Sequence, residues 1–142
     1  MITKQVSVFL ENKSGRLKEV TRILGKAGIK ITAFTIADTS EFGILRLIVS
    51  DPEMTYHVLK ENDFSVQITS VVLAKCPNDP ESISEMLEVL NEEEVFIEYM
   101  YAFSMDGDSI IIVIRPTNIQ RCVDVLLLHK GDFLLTDDDI QQ

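Results

Sequence analysis

Positive charge is scarce in this sequence: 13 Lys and Arg stand against 23 Asp and Glu, a formal net charge of −10. Nucleic acid and anionic membranes are bound mainly through positive charge, so neither is expected as a partner. No apolar run approaches the roughly 20 residues needed to span a bilayer. The start, MITKQVSVFLENK, lacks the long apolar core and small-residue cleavage site of a signal peptide. Cysteine occurs only at Cys76 and Cys122, far apart and in no metal-ligand spacing, so both read as free thiols, Cys122 within a helix core. A reducing cytoplasm is the simplest setting. No glycine-rich nucleotide loop occurs, and no Ser/His/Asp or Cys/His set stands out. His57 and His129 read as helix surface or cap residues, and the runs Glu92–Glu94 and Asp137–Asp139 as solvated faces. Catalytic residues, metal ligands and cofactors are therefore not expected.

What is present is an ordinary globular composition, 46% hydrophobic and 25% charged over 142 residues, enough for one domain or two very small ones. The charge is unevenly shared. Residues 1–74 hold nine Lys/Arg and eight Asp/Glu, net +1, whereas residues 75–142 hold four and fifteen, net −11.

The chain reads as one unit written twice. KQVSVFL (4–10) alternates like a half-buried strand. From Ser14 to Ala27, Leu17, Val20, Ile23, Leu24 and Ala27 recur at helical spacing, and Gly28 fits the helix exit. IKITAFTI and ILRLIVS form a hairpin. Asp51-Pro52 opens a shorter helix, and a strand begins near Phe64. The second half repeats this βαββαβ order: SVVLAKC, a helix with Ile83, Met86, Leu87 and Leu90 inward, a hairpin through Asp106-Gly107, a helix capped by Asn118, and a short strand DFLLT. A shift of 66 residues lays Leu17 on Ile83, Leu24 on Leu90, Ile29 on Val95 and Ile31 on Ile97. FSVQITSVVLAKC must close one unit and open the next. The expected fold is α+β: two ferredoxin-like βαββαβ repeats, residues 1–70 and 71–142, each a four-stranded antiparallel sheet with two helices on one face. Units this small are marginal alone, so pairing between repeats or between chains is expected.

The fold class hosts unrelated functions, so the corners must choose among them. A phosphatase of this class needs a glycine-spaced phosphate cradle that NKSGRL lacks. An RNA-binding module would show aromatics on a basic sheet face, and a metal chaperone two close cysteines. What remains is the corner itself. A helix start offers unpaired N–H groups and a positive dipole end to an anion. Gly15 leaves the backbone accessible there. Asn12 and Ser14 could cap the helix or donate to a carboxylate. Lys13 and Arg16 flank it, with Lys18, Arg22 and Lys26 continuing a basic helix face. Plain capping and anion binding both fit these residues.

ENKSGRLKEVTRILGKAGIKI and NDPESISEMLEVLNEEEVFI resemble the first loop and helix of ACT domains, small regulatory modules that bind amino acids. The pattern is a strand, Asp/Asn-x-Pro-Gly, an apolar-periodic helix, and Gly-Ile/Val before the next strand. Both repeats match in register, so the resemblance spans nearly the whole chain. It implies an amino acid held at an interface between two modules, by the loop before the first helix and the start of the second strand. Carried over, it implicates Asn12, Lys13, Ser14, Gly15, Arg16 and Leu17 with Lys30, and Asn78, Asp79, Pro80, Glu81 and Ser82 with Phe96. Ser14 stands where the family favours proline, Glu81 replaces the loop glycine, and Glu94 replaces the helix-ending one. The first corner is therefore the expected carboxylate site. Gly15→Val is expected to block it with little loss of fold. Tyr99, Tyr101 and Phe103, at period two on one strand face with Val95 and Ile97, read as core packing or as a pocket wall. The expected protein is a non-enzymatic amino-acid sensor, its expected partners being a second copy in a homodimer and an enzyme or regulator acting in trans. The alternative is a ligand-free protein–protein interaction module.

Overall fold

A computed structural model describes residues 1–11, 15–38, 42–129 and 133. The elements are β1 (Ile2–Glu11), α1 (Arg16–Lys26), β2 (Ile31–Asp38), β3 (Phe42–Val49), α2 (Pro52–Glu61), β4 (Ser65–Pro77), α3 (Pro80–Glu92), β5 (Ile97–Asp106), β6 (Ser109–Pro116) and α4 (Ile119–Leu128). The chain divides into two compact units, Lys4–Thr69 and Met1–Thr3 with Ser70–Gln142. The 13-residue β4 serves both, its boundary falling after Thr69. The expected short strand DFLLT lies, apart from Phe133, outside the described residues.

In the amino-terminal unit the strands run in the order β2-β3-β1-β4. Val6, Val8 and Leu10 alternate along β1 and pack with Leu45 and Leu47 of β3 against Val20, Ile23, Leu24 and Leu59 of the two helices. On the opposite row of β1 Gln5 and Ser7 are buried as well, and the Gln5 Nε2 donates to the Ser7 hydroxyl at 3.4 Å. Leu17, expected inward, is an exposed apolar residue.

In the carboxy-terminal unit the order is β4-β6-β5. The Leu73 N–H donates to the Met1 carbonyl at 2.8 Å, which ties the first residues of the chain to this unit, and the Lys75 N–H donates to the Phe133 carbonyl at 2.7 Å. Met86, Leu90, Ile112, Ile114, Cys122 and Leu126 form the core. Both cysteines are free and buried. Burial pushes the Cys122 thiol up to about 11, with the N-terminal ammonium opposing the shift.

The 66-residue correspondence extends to irregular backbone. Register shifts fall between Ile31 and Ala33 in β2 and between Ile97 and Tyr99 in β5. At the exit of α1 the Gly28 N–H reaches the Gly25 carbonyl and the Ile29 N–H the Leu24 carbonyl. At the exit of α3 the Glu94 N–H reaches Asn91 and the Val95 N–H reaches Leu90. Both are Schellman motifs sealed by an apolar pair, Leu24 with Ile29 and Leu90 with Val95. Gly28 sits at φ 73° without cost, whereas Glu94 holds φ 56° with a side chain that disfavours it. The exit of α2 repeats the device with Asp63 at φ 65°.

Candidate functional site

The two βα corners share a sequence pattern and end differently. In the amino-terminal unit Asn12, Lys13 and Ser14 lie outside the described residues. Gly15 holds the N-cap position of α1 at φ 85° and ψ −3°, and its carbonyl accepts the Glu19 N–H at 3.0 Å. It offers no side chain to the helix start. A Cβ built on Gly15 would meet nothing within 4 Å. The expectation that valine there would spare the fold is therefore corrected: space is available, but a β-branched residue at this φ is strained.

Arg16 follows as the first helical residue. Its guanidinium carbon lies 4.0 Å from the ring centroid of Phe64, and Nη1 donates to Glu19 Oε2 at 3.3 Å. Its Nε is buried with no hydrogen-bond partner. The side chain as a whole keeps 23% of its surface exposed. A buried donor left unpaired costs on the order of 1–3 kcal/mol. Beside it lies a cleft of about 320 Å³ lined by Phe9, Leu10, Glu11, Arg16, Asp63 and Ser65. That set holds one guanidinium, two carboxylates and an apolar wall. Such a set suits a small zwitterion, with the guanidinium for a carboxylate and the carboxylates for an ammonium.

In the carboxy-terminal unit Asp79 closes the corner with its own carboxylate. Its Oδ1 accepts the Ser82 N–H at 2.7 Å and its Oδ2 the Ser82 hydroxyl at 3.1 Å. Pro80 occupies the first helical turn, and Asn78 donates its N–H to the Asp108 carbonyl at 3.1 Å. Glu81 is exposed. The positive end of α3 is already answered by a side chain of its own chain. Burial, and then the charge of Asp79, push the nearby Cys76 thiol up.

The remaining expected residues do not gather at these corners. Glu11 pairs with Phe42 and Ile31 with Val49, so Lys30 stands at the opposite end of its sheet from Gly15. Phe96, at 68% exposure, follows the far end of α3 and borders a cleft of about 690 Å³ with Leu87, Glu88 and Asn91. Tyr99, Tyr101 and Phe103 share a face, paired with Arg115, Val113 and Ile111. The shift after Ile97 turns that face away from Ile97, which packs on the helix-side core with Met100. The expected common face with Ile97 is thus corrected by one bulge. Glu11, Asp63 and Ser65 were missed. The signal available for them is topological, since the fold lays β4 beside β1 and brings the exit of α2 to the first corner.

Comparison with known proteins settles the family. A family model described as an ACT domain pair matches residues 1–142. This chain belongs to that family. The ACT pair is similar to protein BT0572 from Bacteroides thetaiotaomicron, at 50% identity and TM-score 0.90, over 98% of this chain and 95% of that one. Its fold is also shared by the regulatory subunit of aspartate kinase from Thermus thermophilus, at 11% identity and TM-score 0.64, over 92% and 97% of the chains. Aspartokinase alpha and beta subunits align at 15% identity and TM-score 0.58, over 92% and 95%. No curated protein matches the chain. No helix among the described residues is long and apolar enough to cross a membrane. No group of His, Cys, Asp and Glu among those residues is placed to hold a metal ion.

Proposed function

We propose that this ACT pair, read as repeats 1–70 and 71–142, is a non-catalytic sensor of a free amino acid that acts in the cytoplasm on a partner protein. The observation that carries the reading is Arg16, whose Nε lacks an acceptor at the wall of a cleft that also presents Glu11 and Asp63. The ligand's carboxylate takes the guanidinium and the N–H groups at the start of α1. Its ammonium takes Glu11 or Asp63, and its side chain lies on Phe9 and Leu10. The volume, about 320 Å³, suits an amino acid better than a nucleotide. Asn12, Lys13 and Ser14 belong to the same corner by chain position. Asn78 to Ser82 serve the second repeat as a helix cap. The likeness in fold to a regulatory subunit of aspartate kinase supports a regulatory role for this chain.

Thermal unfolding against each of the twenty L-amino acids tests this. A ligand at about 100 times its dissociation constant adds roughly 2.7 kcal/mol of stability. The expected result is a saturable rise with one or a few related L-amino acids and none with the D-enantiomers. No rise with any of them refutes the sensor. A second reading, an interaction module without ligand, is favoured by the exposed Phe34 and Ile36 on β2 at the sheet edge. It gains if the panel is silent.

A further inference from the structure

Among the described residues, Asp63 and Glu94 hold a side chain in the left-handed region, where glycine costs less. Asp63 stands in the wall of the Arg16 cleft. Its main chain is fixed by the end of α2: the Asp63 N–H donates to the Lys60 carbonyl at 3.1 Å and the Phe64 N–H to the Leu59 carbonyl at 3.0 Å. Phe64, buried at 3% exposure, carries the Arg16 guanidinium on its ring. Two adjacent residues of one hydrogen-bonded turn therefore set a carboxylate and seat a cation at the same cleft. Yet the two charges do not pair. Arg16 pairs with Glu19, and Asp63 forms no ion pair among the described residues. Opposite charges that share about 320 Å³ without neutralising each other leave room for a ligand that carries both. The 66-residue shift lays Arg16 on Ser82 and Asp63 on His129, so the second repeat has neither the guanidinium nor the carboxylate at the equivalent places.

We infer that Asp63 is the specificity-determining residue of this cleft: it receives the α-ammonium group, so that the site takes α-amino acids and rejects carboxylic acids of the same skeleton that lack one. The inference rests on the amino-acid site at Arg16 and assigns the discrimination to one of its two carboxylates. A guanidinium binds a carboxylate whatever stands on the α-carbon, so Arg16 alone cannot tell an amino acid from its des-amino counterpart. The difference has to be read by an anionic acceptor beside it. A carboxylate kept on a backbone that disfavours its Cβ gives up some stability for that acceptor. Asparagine tolerates the same backbone and has nearly the same shape without the charge, which separates the two contributions.

Calorimetric titration of the full chain with the twenty L-amino acids and with the corresponding des-amino acids tests it. Wild type is expected to bind its amino acid about tenfold to a hundredfold more tightly than the des-amino acid, the range for a hydrogen bond to a charged group. Asp63→Asn is expected to close that gap by weakening the amino acid and leaving the des-amino acid where it was. Asp63→Gly is expected to close it too, with no fall in melting temperature, because glycine relieves the left-handed backbone. An equal loss for both ligands would mean that Asp63 only shapes the cleft, and overturns the inference. So does an amino-acid affinity that survives Asp63→Asn and is lost in Glu11→Gln, which would give the ammonium to Glu11. A wild type silent toward all twenty amino acids refutes the sensor and this inference with it, whereas a wild type that binds one and ignores Asp63 refutes this inference alone.

Discussion

The two βα corners of this ACT pair share a sequence pattern but differ in backbone and in chemistry: α1 starts after Gly15 in the left-handed region, and α3 starts two positions earlier in the repeat, after an extended Asp79. At Asp79 a carboxylate folds back onto the start of α3 and occupies its positive end. At Gly15 no side chain among the described residues does so, and the next residue, Arg16, turns its guanidinium over Phe64 beside an open cleft. A helix start satisfied from within is a structural joint. One left to backbone and guanidinium groups is where the proposed sensor takes the carboxylate of its ligand.

Three substitutions sharpen or break that contrast, in falling order of effect. Gly15→Val forces a β-branched residue to φ 85° and should cost about 2 kcal/mol of stability, as well as ligand binding. Chemical denaturation reads the first and calorimetric titration the second, and an unchanged midpoint would show that the left-handed turn is dispensable. Asp79→Ala removes a cap and should cost about 1 kcal/mol, with no change in amino-acid affinity. A loss of affinity in that variant would make the second corner a binding site and end the contrast. Glu94→Gly should stabilise the carboxy-terminal unit by up to about 1 kcal/mol, because Gly28 already shows the preferred residue at the equivalent helix exit. A drop in melting temperature would mean that the Glu94 side chain makes a compensating contact.

Much of the fold was legible before any coordinates. The spacing of Val20, Ile23 and Leu24 marked α1, Asp51-Pro52 marked the start of α2, and the continuous run from Phe64 to Cys76 had to serve both units. The bulges in β2 and β5 were not legible, because one extra residue in a strand leaves the composition unchanged while it turns every later side chain to the other face. That is why Tyr99 and Tyr101 were set on the wrong face relative to Ile97. The site was half legible. Gly15 and Arg16 announce a helix start, but Asp63 and Ser65 lie almost fifty residues away and join them only through the β1–β4 neighbourhood. Lys30 was grouped with Gly15 by family pattern, and strand register sets it at the other end of the sheet.

The central claim is that Arg16 receives the carboxylate of a free amino acid. Its Nε–H is the group to watch, in ¹⁵N–¹H correlation spectra of uniformly labelled protein titrated with each of the twenty L-amino acids. The account predicts a saturable shift of the Arg16 Nε–H resonance with the amino acid that raises the melting temperature, absent with its D-enantiomer and lost in Arg16→Met. An Arg16 resonance that stays in place while that amino acid binds, or while none does, would contradict it.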